Sequence, residues 1–281
     1  MPMRLTQKNW KLPLHWKQFN PRCAHPECAT GSRWTGLLHR VSGYLLNQQQ
    51  WFCSPRCLEE SLHDLLLAHF LDEHRPDPIR TNMPLGLMML SRGVISDPQL
   101  RDAIAMQRSS GEKIGACLQR LGCVSFDEIA SVVATQWGCP LFPAESVQPG
   151  CSMLVPFSLI ERYRMLPVHL VSQGRRLFVG FSDKVNSTAL IGLQHMLGCE
   201  TEACIIAEPK FLQILEYRKR NTTGEIAVTR PDSAAETSRM ILSYTQQTGA
   251  EAIRLHAMEG NIWVRFLAQR SHLDLVFEAS L

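Results

Sequence analysis

Four cysteines near the start of the sequence have the spacing of paired metal ligands. Cys23 and Cys28 are separated by four residues, and Cys53 and Cys57 are separated by three. Four thiolates can complete the tetrahedral coordination of a structural zinc ion. A segment of roughly 50 residues buries little apolar surface of its own, so a bound metal would help it to fold. We therefore predict a structural Zn²⁺ site at these residues, with four free thiols as the alternative.

The second cysteine pair lies at the predicted start of a helix. Residues 51–58, WFCSPRCL, resemble the second knuckle of treble-clef-like zinc fingers, in which the last cysteine begins a helix. Apolar residues continue this helix at Leu58, Leu62, Leu65 and Leu66. His25 and His39 are alternative ligands but are more typical of surface histidines. The other six cysteines lie in apolar contexts and are predicted to be small core residues: Cys117, Cys123, Cys139, Cys151, Cys199 and Cys204.

A second candidate site lies in a sequence repeat with a period of 29 residues. The first copy spans residues 85–107 and the second spans residues 114–136. Each copy predicts two helices, of which the first ends at a glycine that can close a helix in the left-handed conformation. The second helix begins with a capping box, formed by Ser96 with Gln99 and by Ser125 with Glu128.

In both copies, the apolar face of the second helix ends at an amide, Gln107 or Gln136. A buried-face amide needs hydrogen-bond partners, and its donors and acceptor suit the edge of a nucleobase. Two copies of one half-site suit a ligand with two equal halves. In the alternative interpretation, the glycines cap helices and the glutamines satisfy helix ends in a plain bundle that binds no ligand.

Residues 84–137 resemble the tandem motif of the MshE-type N-terminal domain, a cyclic di-GMP receptor module of type II secretion and type IV pilus assembly ATPases. The motif is a basic residue, an apolar residue and glycine, followed by spaced apolar residues, a second glycine and a closing glutamine. The resemblance implies a cyclic di-GMP site in which glycines let the ligand approach the backbone, apolar residues stack on guanine and glutamine holds the base. The implied ligand residues are Leu85, Gly86, Met89, Gly93, Ile95 and Gln107, then Lys113, Ile114, Gly115, Leu118, Gly122, Val124 and Gln136.

The basic positions of the motif depart from the family pattern. Pro84 stands where the first copy should have its basic residue, and Lys113 stands where arginine is more usual. Arginine presents a planar fork of donors, whereas lysine is a point charge. Arg80 and Arg92 are nearby cations that could compensate, although neither occupies the motif position.

The whole chain is predicted to be an α+β multidomain protein. We expect a zinc-finger-like module at 1–75, a helical tandem-repeat domain at 80–138 and a small α/β subdomain at 139–225, which resembles the segment that follows this module in secretion ATPases. A further α/β subdomain at 230–281 resembles the one that precedes the ATPase motor. Its family Asp, His and Glu are replaced by Ala252, Arg254 and His256.

The sequence contains no G-x-x-x-x-G-K-[ST] run, so it lacks a phosphate-binding loop for a nucleoside triphosphate. We therefore expect no enzyme activity. The leading interpretation is a regulatory adaptor that binds cyclic di-GMP and controls secretion, pilus or surface-polysaccharide machinery. The alternative is a ligand-free interaction scaffold that mimics the N-terminus of a secretion ATPase.

Charge and hydrophobic composition limit the classes of binding partner and the cellular location that we expect. The net charge of +3 over 281 residues is small, so we do not expect a nucleic-acid partner, although Lys8, Lys11, Lys17 and Arg22 lie beside the cysteine module. No apolar run approaches the roughly 20 residues of a membrane-spanning helix. No signal peptide is visible, so a cytoplasmic location is expected, where the ten cysteines would stay reduced.

Overall fold

The computed structural model describes residues 22–28, 43–71, 83–171, 176–221, 228–269 and 271–278. Residues 72–82, which include Arg80, and the basic residues Lys8, Lys11 and Lys17 lie outside this part of the chain. The described residues form an α+β fold with two small sheets, which confirms the predicted class. The division into four modules stays a prediction. Every helix in the described residues is too short or too polar to cross a lipid bilayer.

The helices and strands are numbered in chain order. The strands are β1 (Tyr44–Leu46), β2 (Gln50–Phe52), β3 (Leu166–Val171), β4 (Arg176–Phe181), β5 (Glu200–Ile205), β6 (Ala252–Met258), β7 (Asn261–Leu267) and β8 (His272–Glu278). The helices are α1 (Pro55–Leu71), α2 (Leu85–Ser91), α3 (Asp97–Ser110), α4 (Ile114–Arg120), α5 (Phe126–Trp137), α6 (Phe157–Tyr163), α7 (Ser187–Leu197), α8 (Glu208–Arg220) and α9 (Ala234–Thr248).

The chain divides into two compact units. The first combines the segment up to residue 75 with residues 195–197 and the segment from residue 224 onward, and the second contains the remainder. The cysteine segment and the C-terminal segment, which the sequence alone left separate, therefore belong to one unit.

The first unit is built on a five-stranded sheet of order β2-β1-β6-β7-β8. The hairpin β1–β2 joins the edge of the C-terminal meander because β1 pairs in parallel with β6, with Leu46 opposite Ile253. Asn47 extends this pairing: its N–H donates to the Ile253 carbonyl at 2.8 Å, and its side-chain oxygen accepts from the Leu255 N–H at 2.7 Å. Segments about 200 positions apart in the chain thus share one hydrogen-bonded sheet.

One face of this sheet is covered by α1 and α9. Alternate residues of a strand point to opposite faces, and Ile262, Val264 and Phe266 of β7 point into this core. Leu58, Leu62 and Leu66 of α1 are fully buried in the same core. The predicted helix after Cys57 is thereby confirmed, together with the role of its apolar stripe.

The opposite face of the sheet carries a buried ion pair. Arg265 is only 2% exposed and donates two hydrogen bonds to Asp274, from Nε to Oδ1 at 2.8 Å and from Nη2 to Oδ2 at 2.7 Å. The Trp263 indole N–H also donates to Asp274 Oδ1 at 2.9 Å, and the Arg265 guanidinium lies 5.1 Å from the Trp263 ring centre. The charge is thus paired and hydrogen-bonded, which a buried ion requires.

The second unit begins with the helices α2 to α5, which share one apolar core. The sheet β3-β4-β5 follows, with β3 antiparallel and β5 parallel to β4. Residues 140–142 connect the two parts, since the Ile205 N–H donates to the Pro140 carbonyl at 2.9 Å and the Phe142 N–H donates to the Ile205 carbonyl at 2.8 Å. This segment contains both strands and helices, in agreement with the α/β character predicted for residues 139–225.

Candidate functional site

The four predicted cysteine ligands converge on one point. Their sulfur atoms all lie within 4.8 Å of one another, with Cys28 Sγ 3.5 Å from Cys53 Sγ and Cys53 Sγ 3.9 Å from Cys57 Sγ. Tetrahedral coordination with zinc–sulfur bonds of about 2.3 Å requires sulfur–sulfur separations of about 3.8 Å. The arrangement therefore fits a metal ion bound by four thiolates.

Backbone hydrogen bonds position both cysteine pairs. The Ala24 N–H donates to the Trp51 carbonyl at 2.7 Å, which attaches the first pair to β2. Cys53 directly follows β2, and Cys57 lies in the first turn of α1 with its N–H donating to Ser54 Oγ at 3.3 Å. The ligands thus come from the end of a strand, the start of a helix and a turn held beside them.

The electrostatics of the cluster favour a bound cation. Burial, together with hydrogen bonds to the neighbouring thiols, raises the pKa of the Cys53 thiol to about 12. Four thiolates therefore need a positive charge among them, which a bound metal ion supplies. His25 is directed elsewhere, since its Nε2 lies 3.0 Å from Glu60 Oε2, and His39 lies outside the described residues.

The cysteine cluster is part of the core of the first unit. Cys57 is buried in that core, and Cys23, Cys28 and Cys53 pack against it. The same core contains residues of β6, β7 and β8. A metal ion at the thiols would therefore support a sheet whose strands lie about 200 positions further along the chain.

The predicted ligand residues of the repeat fall into two groups. Six are buried and fill the space between the helices: Gly86, Met89, Ile95, Gly115, Leu118 and Val124. Seven reach the surface at least in part: Leu85, Gly93, Gln107, Lys113, Ile114, Gly122 and Gln136. The buried group packs between the helices, and the second group lies wholly or partly at the surface.

Gly93 and Gly122 close the first helix of each copy with the same geometry. Both have φ of +69°. The Gly93 N–H donates to the Leu90 carbonyl and the next N–H donates to the Met89 carbonyl, both at 3.0 Å. Gly122 repeats this pair of bonds one period later. These glycines are required by the helix ends themselves, whether or not a ligand is bound.

The two copies exchange equivalent contacts. Gln107 Nε2 of the first copy donates to the Glu112 carbonyl at 3.1 Å, just before the second copy begins. Gln136 Nε2 of the second copy donates to the Met83 carbonyl at 2.7 Å, just before the first copy begins. Glu112 and Met83 are themselves 29 positions apart. Each glutamine thus holds the start of the other copy's first helix.

The paired glycines repeat this exchange. A Cβ on Gly86 would lie 3.6 Å from Ile114 of the second copy, and a Cβ on Gly115 would lie 3.5 Å from Leu85 of the first. The starts of α2 and α4 therefore approach each other closely, with half-buried apolar side chains at both starts. Each start thus contacts the other through equivalent residues, Gly86 with Ile114 and Gly115 with Leu85.

The cations break this equivalence. Lys113 pairs with Asp183 in the loop after β4, and the Trp137 indole N–H donates to the Asp183 carbonyl at 2.8 Å. Pro84 carries no charge at the corresponding place, but Arg92 Nη1 donates to Thr135 Oγ1 at 3.0 Å, one residue before Gln136. Sequence reasoning missed Asp183 and Thr135, because their partners lie 70 and 43 positions away and no local pattern marks them.

Searches against known proteins found relatives over about half of the chain. It is 27% identical to the type IV pilus assembly ATPase PilB of Myxococcus xanthus over 134 residues, 47% of this chain and 23% of that protein. It is 31% identical to PilB of Thermus thermophilus over 133 residues, 47% of this chain and 15% of that protein. The predicted resemblance to type IV pilus assembly ATPases is confirmed over this portion. No family model matches the chain.

Other similarities extend beyond pilus ATPases. Bacteriophage adsorption protein B of Escherichia coli is 27% identical over 140 residues, 49% of this chain and 18% of that protein. Among solved structures, MshE with cdg shares 24% identity at a TM-score of 0.40, covering 48% of this chain and 98% of that one. The N-terminal domain of XpsE shares 20% identity at a TM-score of 0.35, covering 51% and 97%. The chain thus spans less than a quarter of the length of each named sequence relative.

Proposed function

We propose that this chain is a non-catalytic regulatory adaptor that binds cyclic di-GMP at the surface shared by the two repeat copies. The observation that carries the proposal is the reciprocal exchange, in which Gln107 and Gln136 each hold the start of the other copy. Cyclic di-GMP has two identical halves, each with one guanine and one phosphate. A surface built twice from the same residues is matched to such a ligand.

The chemistry of each half of the surface suits a guanine nucleotide. Each glutamine bond to a carbonyl uses one of the two N–H donors of the amide, so a second donor and the oxygen can address a base edge. Leu85 and Ile114, each at the start of its helix, offer apolar surface against which a base can stack. Ligand binding would favour one packing of the two copies, and that differential affinity would be the regulatory signal.

The pilus assembly relatives support a place in pilus or secretion machinery. The adaptor would act there by contact, or on surface-polysaccharide machinery, without hydrolysing a nucleotide itself. A similar region in bacteriophage adsorption protein B supports a module that functions in more than one kind of protein.

We also propose that the four thiolates bind one structural Zn²⁺ ion. All four coordination positions would be filled by Cys23, Cys28, Cys53 and Cys57, which leaves no open position for catalysis. Metal release with a chelator, measured by a zinc-sensitive dye, should give one zinc per chain. Cys28→Ser should lose it and Cys123→Ser, a half-exposed cysteine outside the cluster, should retain it. A purified wild-type chain with no bound metal after zinc reconstitution would contradict this assignment.

The second candidate function is a ligand-free scaffold that docks on a secretion or pilus component. It is favoured by the ion pair between Lys113 and Asp183, because Asp183 then takes the place that a ligand phosphate would have beside the basic residue of the second copy. It is also favoured by Pro84, which removes the basic residue of the first.

Isothermal titration calorimetry with cyclic di-GMP separates the two candidates. The wild-type chain should give saturable binding, and Gln107→Ala combined with Gln136→Ala should weaken it at least tenfold. Gln246→Ala combined with Gln247→Ala on α9 is the matched control, since these exposed amides lie in the other unit. Cyclic di-AMP, which keeps the ring and phosphates but changes the base, should bind more weakly. No heat at high-micromolar cyclic di-GMP would contradict the sensor and favour the scaffold.

A further inference from the structure

We infer that Arg92 supplies the phosphate-binding cation of the first half of the ligand surface, replacing the basic residue that Pro84 removes. This inference rests on the proposed binding of cyclic di-GMP. It follows from the way in which the two copies exchange contacts, because that exchange decides which residues face the same half of a ligand.

Each half-site combines residues of both copies. Because Gln136 donates to the Met83 carbonyl, the first half-site consists of the start of α2, with Leu85, and the end of α5, with Gln136. Because Gln107 donates to the Glu112 carbonyl, the second half-site consists of the start of α4 and the end of α3. A cation for the first half-site must therefore lie close to the end of α5.

Arg92 meets this requirement although it lies at the other end of α2. Its guanidinium donates to Thr135 Oγ1 at 3.0 Å, and Thr135 immediately precedes Gln136 in α5. A long side chain on a helix leans back toward the helix N-terminus, which brings the guanidinium along α2 toward the first half-site. The side chain is exposed, so its remaining donors are open to an oxyanion.

The second copy does not repeat this arrangement. The positions one period away from Arg92 and Thr135 are Leu121 and Met106, neither of which carries a charge. The second half-site has Lys113 instead, at the motif position. Each half-site thus has its own cation, supplied from a different place on the helix pair.

The two half-sites also differ in what a phosphate would have to displace. In the second, Lys113 is paired with Asp183 and the nearby Arg120 is paired with Glu112. In the first, the described partner of Arg92 is a neutral hydroxyl. A phosphate can accept from a guanidinium in a bidentate manner, and at Arg92 it gains this bond without separating an existing ion pair. The first half-site should therefore contribute the larger share of the phosphate affinity.

The test is calorimetric titration of the full chain with cyclic di-GMP. Arg92→Met, which keeps an unbranched, flexible side chain and removes the charge, should weaken binding at least tenfold and reduce its salt dependence, since screening acts on charge pairs. The affinity of Arg92→Lys for cyclic di-GMP should lie between those of the wild type and Arg92→Met. Arg101→Met is the matched control, because Arg101 is an exposed arginine whose carboxylate partner lies within α3.

A rescue variant guards against a trivial loss of fold. Pro84→Arg restores the motif's basic residue, and the backbone at position 84 (φ −54°, ψ 138°) accepts any residue. In the Arg92→Met background, it should recover most of the lost affinity. If the wild type binds and Arg92→Met binds equally well, the inference is wrong while the proposed function stands. Failure of the rescue in a folded double variant also overturns it, and a wild type that gives no heat overturns both.

Discussion

The first unit, which contains the four clustered cysteines, and the four-helix segment α2–α5 are stabilised in opposite ways. The helices α2–α5 come from one continuous stretch of the chain. Their ends are stabilised by local hydrogen bonds, such as the one from the Glu128 N–H to Ser125 Oγ at 3.2 Å. The first unit instead joins β1 to β6 across about 200 positions. Its thiols pack on a core that contains residues of both α1 and the strands β6, β7 and β8. A region assembled over such a distance gains most from a metal ion, whereas a local one has no need of it.

The strongest test of this contrast is metal removal. Chelation, or Cys28→Ser, should abolish the fold of the first unit, because structural zinc contributes on the order of 10 kcal/mol and that is comparable to the whole stability of a domain. Hydrogen exchange should show lost protection in β6, β7 and β8, and retained protection in α3 and α5. Cys123→Ser serves as the control. Unchanged protection of β7 after complete metal removal would show that the C-terminal strands do not depend on the cluster.

The next largest effect should come from the buried ion pair of the first unit. Asp274→Ala leaves the Arg265 guanidinium buried without its carboxylate, which typically costs about 3–5 kcal/mol. Arg101→Ala breaks an exposed ion pair on α3 and should cost less than about 1 kcal/mol. Urea unfolding of both variants measures the difference. Similar losses for the two would mean that Asp274 is better solvated than its contacts indicate.

A smaller effect of opposite sign is expected at Gly115. A Cβ there meets Ile129 and Leu85 at 3.5 Å, an ordinary contact, so Gly115→Ala should stabilise α4 by about 0.5 kcal/mol. Gly86→Ala places its Cβ 2.7 Å from Leu100 Cδ1, so that side chain must move and the gain should be smaller or negative. Thermal unfolding tests both. If Gly115→Ala loses cyclic di-GMP binding while it gains stability, the glycine serves ligand approach; destabilisation would show that the packing there is tighter.

The smallest effect concerns the pH dependence of the Lys113–Asp183 pair. Burial alone would raise the pKa of Asp183, but hydrogen bonds from Lys113 and from the Lys184 backbone hold that pKa below its usual value. The unfolded chain therefore binds this proton at a higher pH than the folded chain. The contribution of the pair is present above about pH 4 and is lost as the pH falls through the lower folded pKa.

Because both side chains are partly exposed, this contribution should be less than about 0.5 kcal/mol. Lys113→Ala should flatten the fall in Tm with acidification below about pH 4. Lys184→Ala keeps the backbone hydrogen bond to Asp183 and should leave the fall in Tm with acidification unchanged. A wild-type profile in both variants would show that the Lys113 contact does not persist in solution.

The same contrast explains what the sequence could predict. Local signals were sufficient for the helices: the capping pair Ser125 and Glu128 and the closing glycines Gly93 and Gly122 all act as expected. The cysteine spacing likewise identified four side chains that do converge. In each case, the decisive residues lie within a few positions of one another.

What the sequence could not supply was pairing between distant segments. Strands β1 and β2 are three residues each, too short to show an alternating pattern, and nothing near Leu46 indicates that Ile253 lies opposite. The carbonyl partners of Gln107 and Gln136 were also not predicted, because backbone groups carry no sequence signature. The amides were identified as needing partners, but only the fold shows that the other copy provides them.

The reciprocal glutamine bonds also have a consequence for the order of folding. Gln107 reaches a carbonyl five positions ahead, whereas Gln136 reaches one 53 positions behind. Closing the longer loop costs about 2 kcal/mol more in chain entropy, although the two bonds are chemically alike. The junction between α3 and α4 should therefore form early and act as the nucleus of the segment. The start of α2 should dock last and open first, so spontaneous opening should begin at the half-site that contains Gln136.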